Sequence, residues 1–78
     1  MNEPRRNFAR EQRLRMIDFL LDRFGMLNRG DLIDYFGISM QQASLDIRDY
    51  LQLAPGNAEY DKTAKTYRRA PAFVRLMP

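Results

Sequence analysis

The stretch FGISMQQASLDIRDYL, residues 36–51, combines a helix end, a helix start and an unusual polar face. Gly37 is typical of the end of one helix, and Ser39 can cap the next by accepting a hydrogen bond from a backbone N–H. At about 100° per residue, the apolar residues of the helix that Ser39 begins gather on one side: Ala43, Ile47, Tyr50 and Leu51. The opposite side carries amides and a hydroxyl, where surface helices more often carry Lys and Glu.

A longer amphipathic helix is predicted upstream, over residues 9–24, and Gly25 ends it. Its apolar residues recur at steps of three and four, which places them on one stripe: Leu14, Ile17, Leu20, Leu21 and Phe24. Met16 and Phe19 fall outside that stripe. They indicate a second apolar contact, with a partner chain or a following domain.

Between these two helices, the pattern predicts an extended link at residues 26–27 and a short helix capped by Asn28. After the third helix, APGN (54–57) predicts a turn, and AEYD and TYRRA predict two strands around KTAK (62–65). The fold class is therefore mainly α (α+β): a winged helix-turn-helix of three helices and a C-terminal β-hairpin wing. The predicted organisation is a flexible basic arm (1–8), the winged helix-turn-helix domain (9–70) and a tail or linker (71–78).

Composition limits the possible functions. With 78 residues the chain holds one domain, and it contains neither Cys nor His. A disulfide framework and a thiolate metal site are excluded, and so are histidine catalysis and histidine metal ligation. We expect no cofactor, no metal and no enzymatic activity. No apolar run approaches the roughly 18 residues of a membrane span, and the N-terminus lacks the apolar core of a signal peptide, so a cytoplasmic location is expected.

Charge is unevenly distributed along the chain. Residues 1–15 carry a net charge of +3, residues 16–60 carry −4, and residues 61–78 carry +4. If the two basic ends converge on one face, that face would attract a polyanion such as DNA. The alternative is two basic tails in solvent.

The polar face of the third helix is explained if this helix, at about residues 39–52, reads bases in the major groove. Gln41 and Gln42 can each pair with N6 and N7 of adenine, and Ser44 can donate or accept. Leu45 fits a thymine methyl, whereas Arg48 can reach guanine or phosphate. The predicted contacts from this helix are Ser39, Met40, Gln41, Gln42, Ser44, Leu45 and Arg48. The alternative is a polar helix face in water.

Asp46 and Asp49 make this helix acidic, so phosphate contacts are expected from other elements, with the two aspartates paired on its flank. The wing, residues 60–69, is expected on the DNA backbone or in the minor groove. Arg29 starts the second helix, where backbone N–H groups also favour an anion. The predicted contacts outside the third helix are Lys62, Thr63, Lys65 and Arg68 of the wing, Arg29, and Arg5, Arg6 and Arg10 of the N-terminal region.

LNRGDLIDYFGISMQQASLDIRDY (27–50) followed by APGNAEYDKTAKTY (54–67) resembles the N-terminal winged helix of WYL-domain transcriptional regulators. The likeness is strongest to repressors associated with bacterial phage-defence systems, and DLIDYFGIS is more loosely similar to DeoR-type regulators. The resemblance implies double-stranded DNA binding, homodimers and repression, with contacts from Ser39, Gln41, Gln42, Ser44 and residues 62–65. Because the WYL domain and its dimerising region are absent, the chain is either an excised domain or a free-standing relative. The homodimer could then form through the missing C-terminal region.

Two other classes of function remain. A winged helix can be a protein-interaction module that does not bind DNA, with Met16, Phe19 and Leu45 as its contact surface. An enzyme is a remote third possibility, because the carboxylates are scattered over predicted helix surfaces.

Overall fold

The computed structural model describes residues 7–77 and contains three helices and three strands. In chain order they are α1 (Phe8–Phe24), β1 (Met26–Leu27), α2 (Arg29–Phe36), α3 (Met40–Leu53), β2 (Ala58–Asp61) and β3 (Thr66–Arg69). This confirms the predicted fold class, a mainly α winged helix-turn-helix with a β-hairpin behind the third helix.

Side-chain caps and glycines set the helix ends. Asn28 Oδ1 accepts from Asp31 N, and Asp31 Oδ2 accepts from Asn28 N, which completes a capping box at the start of α2. Ser39 Oγ accepts from Gln42 N at 3.0 Å at the start of α3. Gly25 and Gly37 follow α1 and α2 with φ values of 77° and 67°, a left-handed conformation that costs glycine little.

The sheet contains one strand pairing that the sequence did not predict. Residues 26–27, expected to be an extended link, form β1 and pair antiparallel with β3, so that the strand order is β1-β3-β2. Thr66 Oγ1 also donates to the Leu27 carbonyl at 3.0 Å. The hairpin is therefore hydrogen-bonded, through β3, to the segment that connects α1 and α2.

The core lies where the three helices and β1 meet. Ala43 is fully buried where α3 lies against its neighbours, and Tyr50 is the largest fully buried side chain. Burial of each large aliphatic side chain contributes about 1.5–3 kcal/mol. The other fully or almost fully buried apolar residues are Leu14, Ile17, Leu21, Leu27, Leu32 and Ile47.

Residues 71–77, assigned from sequence to a tail or linker, form no regular element but pack against the domain. Phe73, Leu76 and Met77 lie against the core cluster. Val74 N donates to Asn57 Oδ1 at 3.0 Å, and Met77 N donates to Asp18 Oδ2 at 2.8 Å. The packed unit therefore extends to residue 77.

The predicted basic arm lies mostly outside the described residues, since only its last two positions fall within 7–77. Both are part of the start of α1: Phe8 is its first residue, and Asn7 Oδ1 caps it by accepting from Arg10 N at 3.0 Å. Within the described range, no helix is both long enough and apolar enough to cross a membrane.

Candidate nucleic-acid interface

The outer face of α3 presents the side chains that its periodicity predicted. Gln41 and Arg48 are exposed, and Leu45 is 43% exposed between them. These three residues share one stripe, because steps of three and four return to the same side of a helix. The buried residues Ala43, Ile47 and Tyr50 occupy the opposite side. The outer face is thus an amide, an aliphatic group and a guanidinium in a row.

Toward α2, the outer face continues into an arginine from another helix. Arg29 is the first residue of α2, and its Nη1 donates to Ser44 Oγ at 3.1 Å. One shallow depression is lined by Arg29 together with four residues of α3: Met40, Gln41, Ser44 and Leu45. The helix-turn-helix therefore brings together two groups that are 15 residues apart in sequence.

The wing lies beside the start of α3, as predicted. A second depression is bordered by Arg29 and Met40 on the helix side and by Tyr60, Lys65 and Tyr67 on the hairpin side. Arg29 and Met40 line both depressions, so the outer face of α3 is continuous with the wing. Tyr60 and Tyr67 pack on each other with ring centroids 4.8 Å apart, and Tyr60 remains about half exposed.

Asp61 organises the tip of the wing. Its Oδ1 accepts from Thr63 N and Ala64 N, both at 3.0 Å, and its Oδ2 accepts from Arg68 Nε at 2.8 Å. The hydrogen bond from Arg68 and those from the two backbone N–H groups hold the pKa of Asp61 below its usual value. Lys65 adopts a left-handed φ of 56°. The tip is therefore a fixed turn that presents Lys62, Thr63 and Lys65 to solvent.

Arg68 is separated from the other predicted contacts of the wing. It follows Tyr67 in β3, and successive side chains of a strand point to opposite faces. Since Tyr67 lines the depression beside Met40, Arg68 projects from the other face of the hairpin, where it pairs with Asp61.

Gln42 turns away from the outer face. Its Nε2 donates to Asp46 Oδ1 at 2.9 Å, and Asp46 Oδ2 accepts from Arg13 Nε of α1 at 2.6 Å. Asp46 is buried and does not lie on a solvent-facing flank, although it is paired as expected. Asp46 thus ties α3 to α1, and the Gln42 amide nitrogen is already engaged within α3.

The basic ends of the chain pair with its acidic middle within residues 7–77. Arg10 lies 3.4 Å from Asp49, Arg13 lies 2.6 Å from Asp46, and Arg75 lies 2.8 Å from Asp18. These three arginines do not converge into the polyanion-binding face that the charge distribution suggested. Arg5 and Arg6, predicted to contact DNA from the arm, lie outside the described residues.

A buried polar cluster behind α3 was not predicted. Asp18 of α1, fully buried, accepts from Tyr50 Oη at 2.6 Å, from Arg75 Nε and from the N–H groups of Leu76 and Met77. Burial alone would raise the pKa of Asp18, but these hydrogen bonds together lower it. Burial and the bond to Asp18 raise the pKa of Tyr50. No local motif marks the cluster; its only sequence signal is an acidic residue within an apolar helical stripe.

Comparison with known proteins agrees with this geometry. A family model described as the BrxR transcriptional regulator winged helix-turn-helix domain matches residues 9–77. The chain belongs to this family. The BrxR-type match ends at the last described residue and so includes residues 71–77, the segment that packs on α1 through Asp18. The resemblance to the winged helix of phage-defence repressors is thereby confirmed.

Curated relatives of this BrxR-type domain carry the name "DNA-binding transcriptional repressor CapW". The protein from Pseudomonas aeruginosa is 46% identical over 71 residues, which cover 91% of this chain and 24% of the relative. The one from Escherichia coli strain KTE188 is 47% identical over 66 residues, covering 85% and 22% respectively. The one from Stenotrophomonas maltophilia is 41% identical over 66 residues, which cover 85% of this chain and 22% of the relative. The chain spans about a quarter of the length of the curated relatives that it matches.

Proposed function

We propose that this domain binds double-stranded DNA at a specific sequence and thereby represses transcription. α3 lies in the major groove, and the wing lies on the backbone or in the minor groove. With 14 residues, α3 is about 21 Å long, and its width suits a groove about 12 Å wide. The names of the relatives and the family match support a regulatory role and not an enzymatic one.

The observation that carries this proposal is the continuous surface from Gln41 and Leu45 of α3, past Arg29, to Lys65 of the wing. Gln41 offers an amide and Leu45 an aliphatic group, which match adenine and the thymine methyl. Arg29, Lys62 and Lys65 supply positive charge next to them. Base contacts give specificity, whereas contacts to phosphate give affinity that falls with salt.

We also infer that the protein works in the cytoplasm as a homodimer on a palindromic or repeated site. A dimer places two recognition helices in successive major grooves about 34 Å apart, which raises both affinity and specificity. This inference is supported by the small size of one module, since a single module covers only a short site. Repression follows when the bound dimer occupies a promoter.

Selection from a random DNA pool, followed by gel-shift titration at several salt concentrations, tests the proposal. We expect one enriched motif, a tighter complex with that motif than with shuffled DNA, and affinity that falls as salt rises. No enrichment, combined with salt-insensitive binding to a protein partner, would instead support the interaction module. The half-exposed Phe19 and the exposed Tyr35 would then mark its contact surface.

A further inference from the structure

Arg29 differs from the other arginines near α3 in the group that holds it. Five arginines of the described range form ion pairs with carboxylates: Arg10, Arg13, Arg48, Arg68 and Arg75. Arg29 instead donates to the hydroxyl of Ser44, and within residues 7–77 no carboxylate lies at ion-pair distance from it. Its positive charge is thus fixed in place without being neutralised.

The position of the guanidinium follows from that bond. Although Arg29 begins α2, its Nη1 lies 3.1 Å from Ser44 Oγ, on the second turn of α3. It borders the same depression as Gln41 and Leu45, the two residues best placed to meet bases. An arginine held there lies over the centre of the proposed reading surface. Lys62 and Lys65, by contrast, lie at the tip of the wing.

The hydrogen-bonding capacity of Arg29 is only partly used. A guanidinium has five N–H donors in a planar fork, and the bond to Ser44 uses one of them. The remaining donors suit two adjacent acceptors, and in the major groove guanine presents such a pair, N7 and O6. Ser44 Oγ has accepted from Arg29, so its own O–H stays free to donate to a base acceptor.

We propose that Arg29 reads a guanine in the major groove and that Ser44 is its positioning residue. The inference rests on the proposed DNA binding and adds to it a base identity and a reader outside the recognition helix. Fixing the guanidinium before DNA arrives reduces the side-chain entropy that binding would otherwise cost.

The test begins with the motif selected by the unaltered protein and uses duplexes in which each guanine is replaced in turn by another base or by 7-deazaguanine. We expect one guanine whose replacement weakens binding by about 5- to 150-fold. Arg29→Ala should lose a similar factor on the selected site and show no preference at that position, with preferences elsewhere retained. Arg23→Ala, which removes an exposed cation from the last turn of α1, is the matched control.

The role of Ser44 has its own readout. Ser44→Ala should lose part of the preference at the same guanine, and this loss at that guanine should vanish in the Arg29→Ala background. Ser44→Thr, which keeps a hydroxyl, should restore the preference. Additive effects of the two alanine variants on the preference at that guanine would refute the positioning role. Thermal melts of each variant establish that the domain remains folded.

Two outcomes would show whether the inference about Arg29 or the proposed DNA binding itself has failed. If Arg29→Ala weakened binding to all sequences alike and lowered the salt dependence by about 0.9 in slope, Arg29 would be a phosphate contact and the inference would be wrong. If the unaltered protein enriched no motif, the proposed function itself would fail before any variant was made.

Discussion

At the scale of single residues, the carboxylate of Asp18 is fully buried and would be costly without partners. A charge in an apolar core is tolerated only when its lone pairs and its charge are both satisfied. Asp18 meets this requirement through Tyr50 Oη of α3, Arg75 Nε and two backbone N–H groups of residues 76–77. One carboxylate thereby joins α1, α3 and the C-terminal segment.

We expect Tyr50→Phe to destabilise the domain by about 1–3 kcal/mol, because it leaves buried partners of the hydroxyl unsatisfied. Those partners are Asp18 Oδ1 and Asn57 Nδ2. In a domain of this size the loss lowers the melting temperature by about 4 °C or more. Tyr35→Phe is the matched control, since Tyr35 is 69% exposed and should melt as the parent does. Equal melting temperatures for the two variants would contradict the assigned role of the Tyr50 hydroxyl.

At Lys65, the effect of the side-chain charge can be tested separately from that of the backbone conformation. Its φ of 56° is a conformation that Asn adopts more readily than most residues. Lys65→Asn should therefore keep the turn but remove the charge. We expect weaker binding to every DNA sequence and a salt slope reduced by about 0.9, measured by titration at several salt concentrations. A change in base preference without a change in slope would mean that Lys65 contacts bases.

At the scale of elements, α3 is held in place by three kinds of contact. Ala43 and Ile47 pack in the core, Asp46 is bonded to Arg13 of α1, and the Ser39 hydroxyl caps the first turn. A helix fixed in this way presents its outer face with little freedom, which is what discrimination between base pairs requires.

Gln41 is the residue of α3 best placed to discriminate, because it is exposed and lies in the first turn. Gln41→Ala should reduce discrimination at one or two base pairs by about 1–3 kcal/mol each, measured with single-base variants of the selected site. Gln52→Ala removes the same group from the last turn of the same stripe and should leave discrimination intact. If both substitutions had equal effects, the assignment of the first turns to the groove would be refuted.

Local chemistry explains which elements were predictable. Asn28, Ser39, Gly25 and Gly37 act on residues three or four positions away, so sequence patterns locate the helix ends correctly. The extended segment at residues 26–27 was predicted, but its pairing was not, because its partner β3 lies about 40 positions later. A two-residue strand has no periodicity of its own, so only the partner strand defines it.

The positions of the proposed contact residues were predictable only in part, because some depend on local spacing and others on the assembled fold. Helical spacing located Gln41, Leu45 and Arg48 on one face, because that face depends only on α3. Spacing could not show that Gln42 is bonded to Asp46, since that carboxylate is held by Arg13, 33 positions away. It likewise could not show that Arg29 reaches Ser44. These placements depend on how the helices cross, so only the assembled fold defines them.

At the scale of the whole molecule, the charge distribution serves folding as well as binding. The basic C-terminal segment is tied to the acidic middle through Arg75 and Asp18, and the N-terminal helix is tied to it through Arg13 and Asp46. Within the described part of the chain, the cations beside the outer face of α3 and at the wing tip that form no ion pair with a carboxylate are Arg29, Lys62 and Lys65. The polyanion-binding surface is therefore smaller than the charge count of the sequence suggested.

This arrangement makes stability depend on pH in the acidic range. The pKa of Asp18 in the folded state is lowered from 3.8, so its contribution is complete above that value. The contribution is lost as pH falls through the lower folded pKa, because the unfolded chain then binds the proton more readily. Urea unfolding between about pH 2 and 5 should show that the free energy of unfolding decreases as the pH is lowered. This decrease should be less steep in Asp18→Asn. Identical slopes for parent and variant would refute the assignment to Asp18.

The central claim, that α3 and the wing form one DNA-binding surface, is tested most directly by an NMR titration of the labelled 78-residue chain with its selected duplex. The expected result is that amide shifts concentrate at residues 39–48 and 62–65 and include the side-chain amide of Gln41. Met16, Phe19 and Tyr35, which line a depression between α1 and α2, should change little. Shifts confined to those three residues, with residues 39–48 unmoved, would contradict the claim.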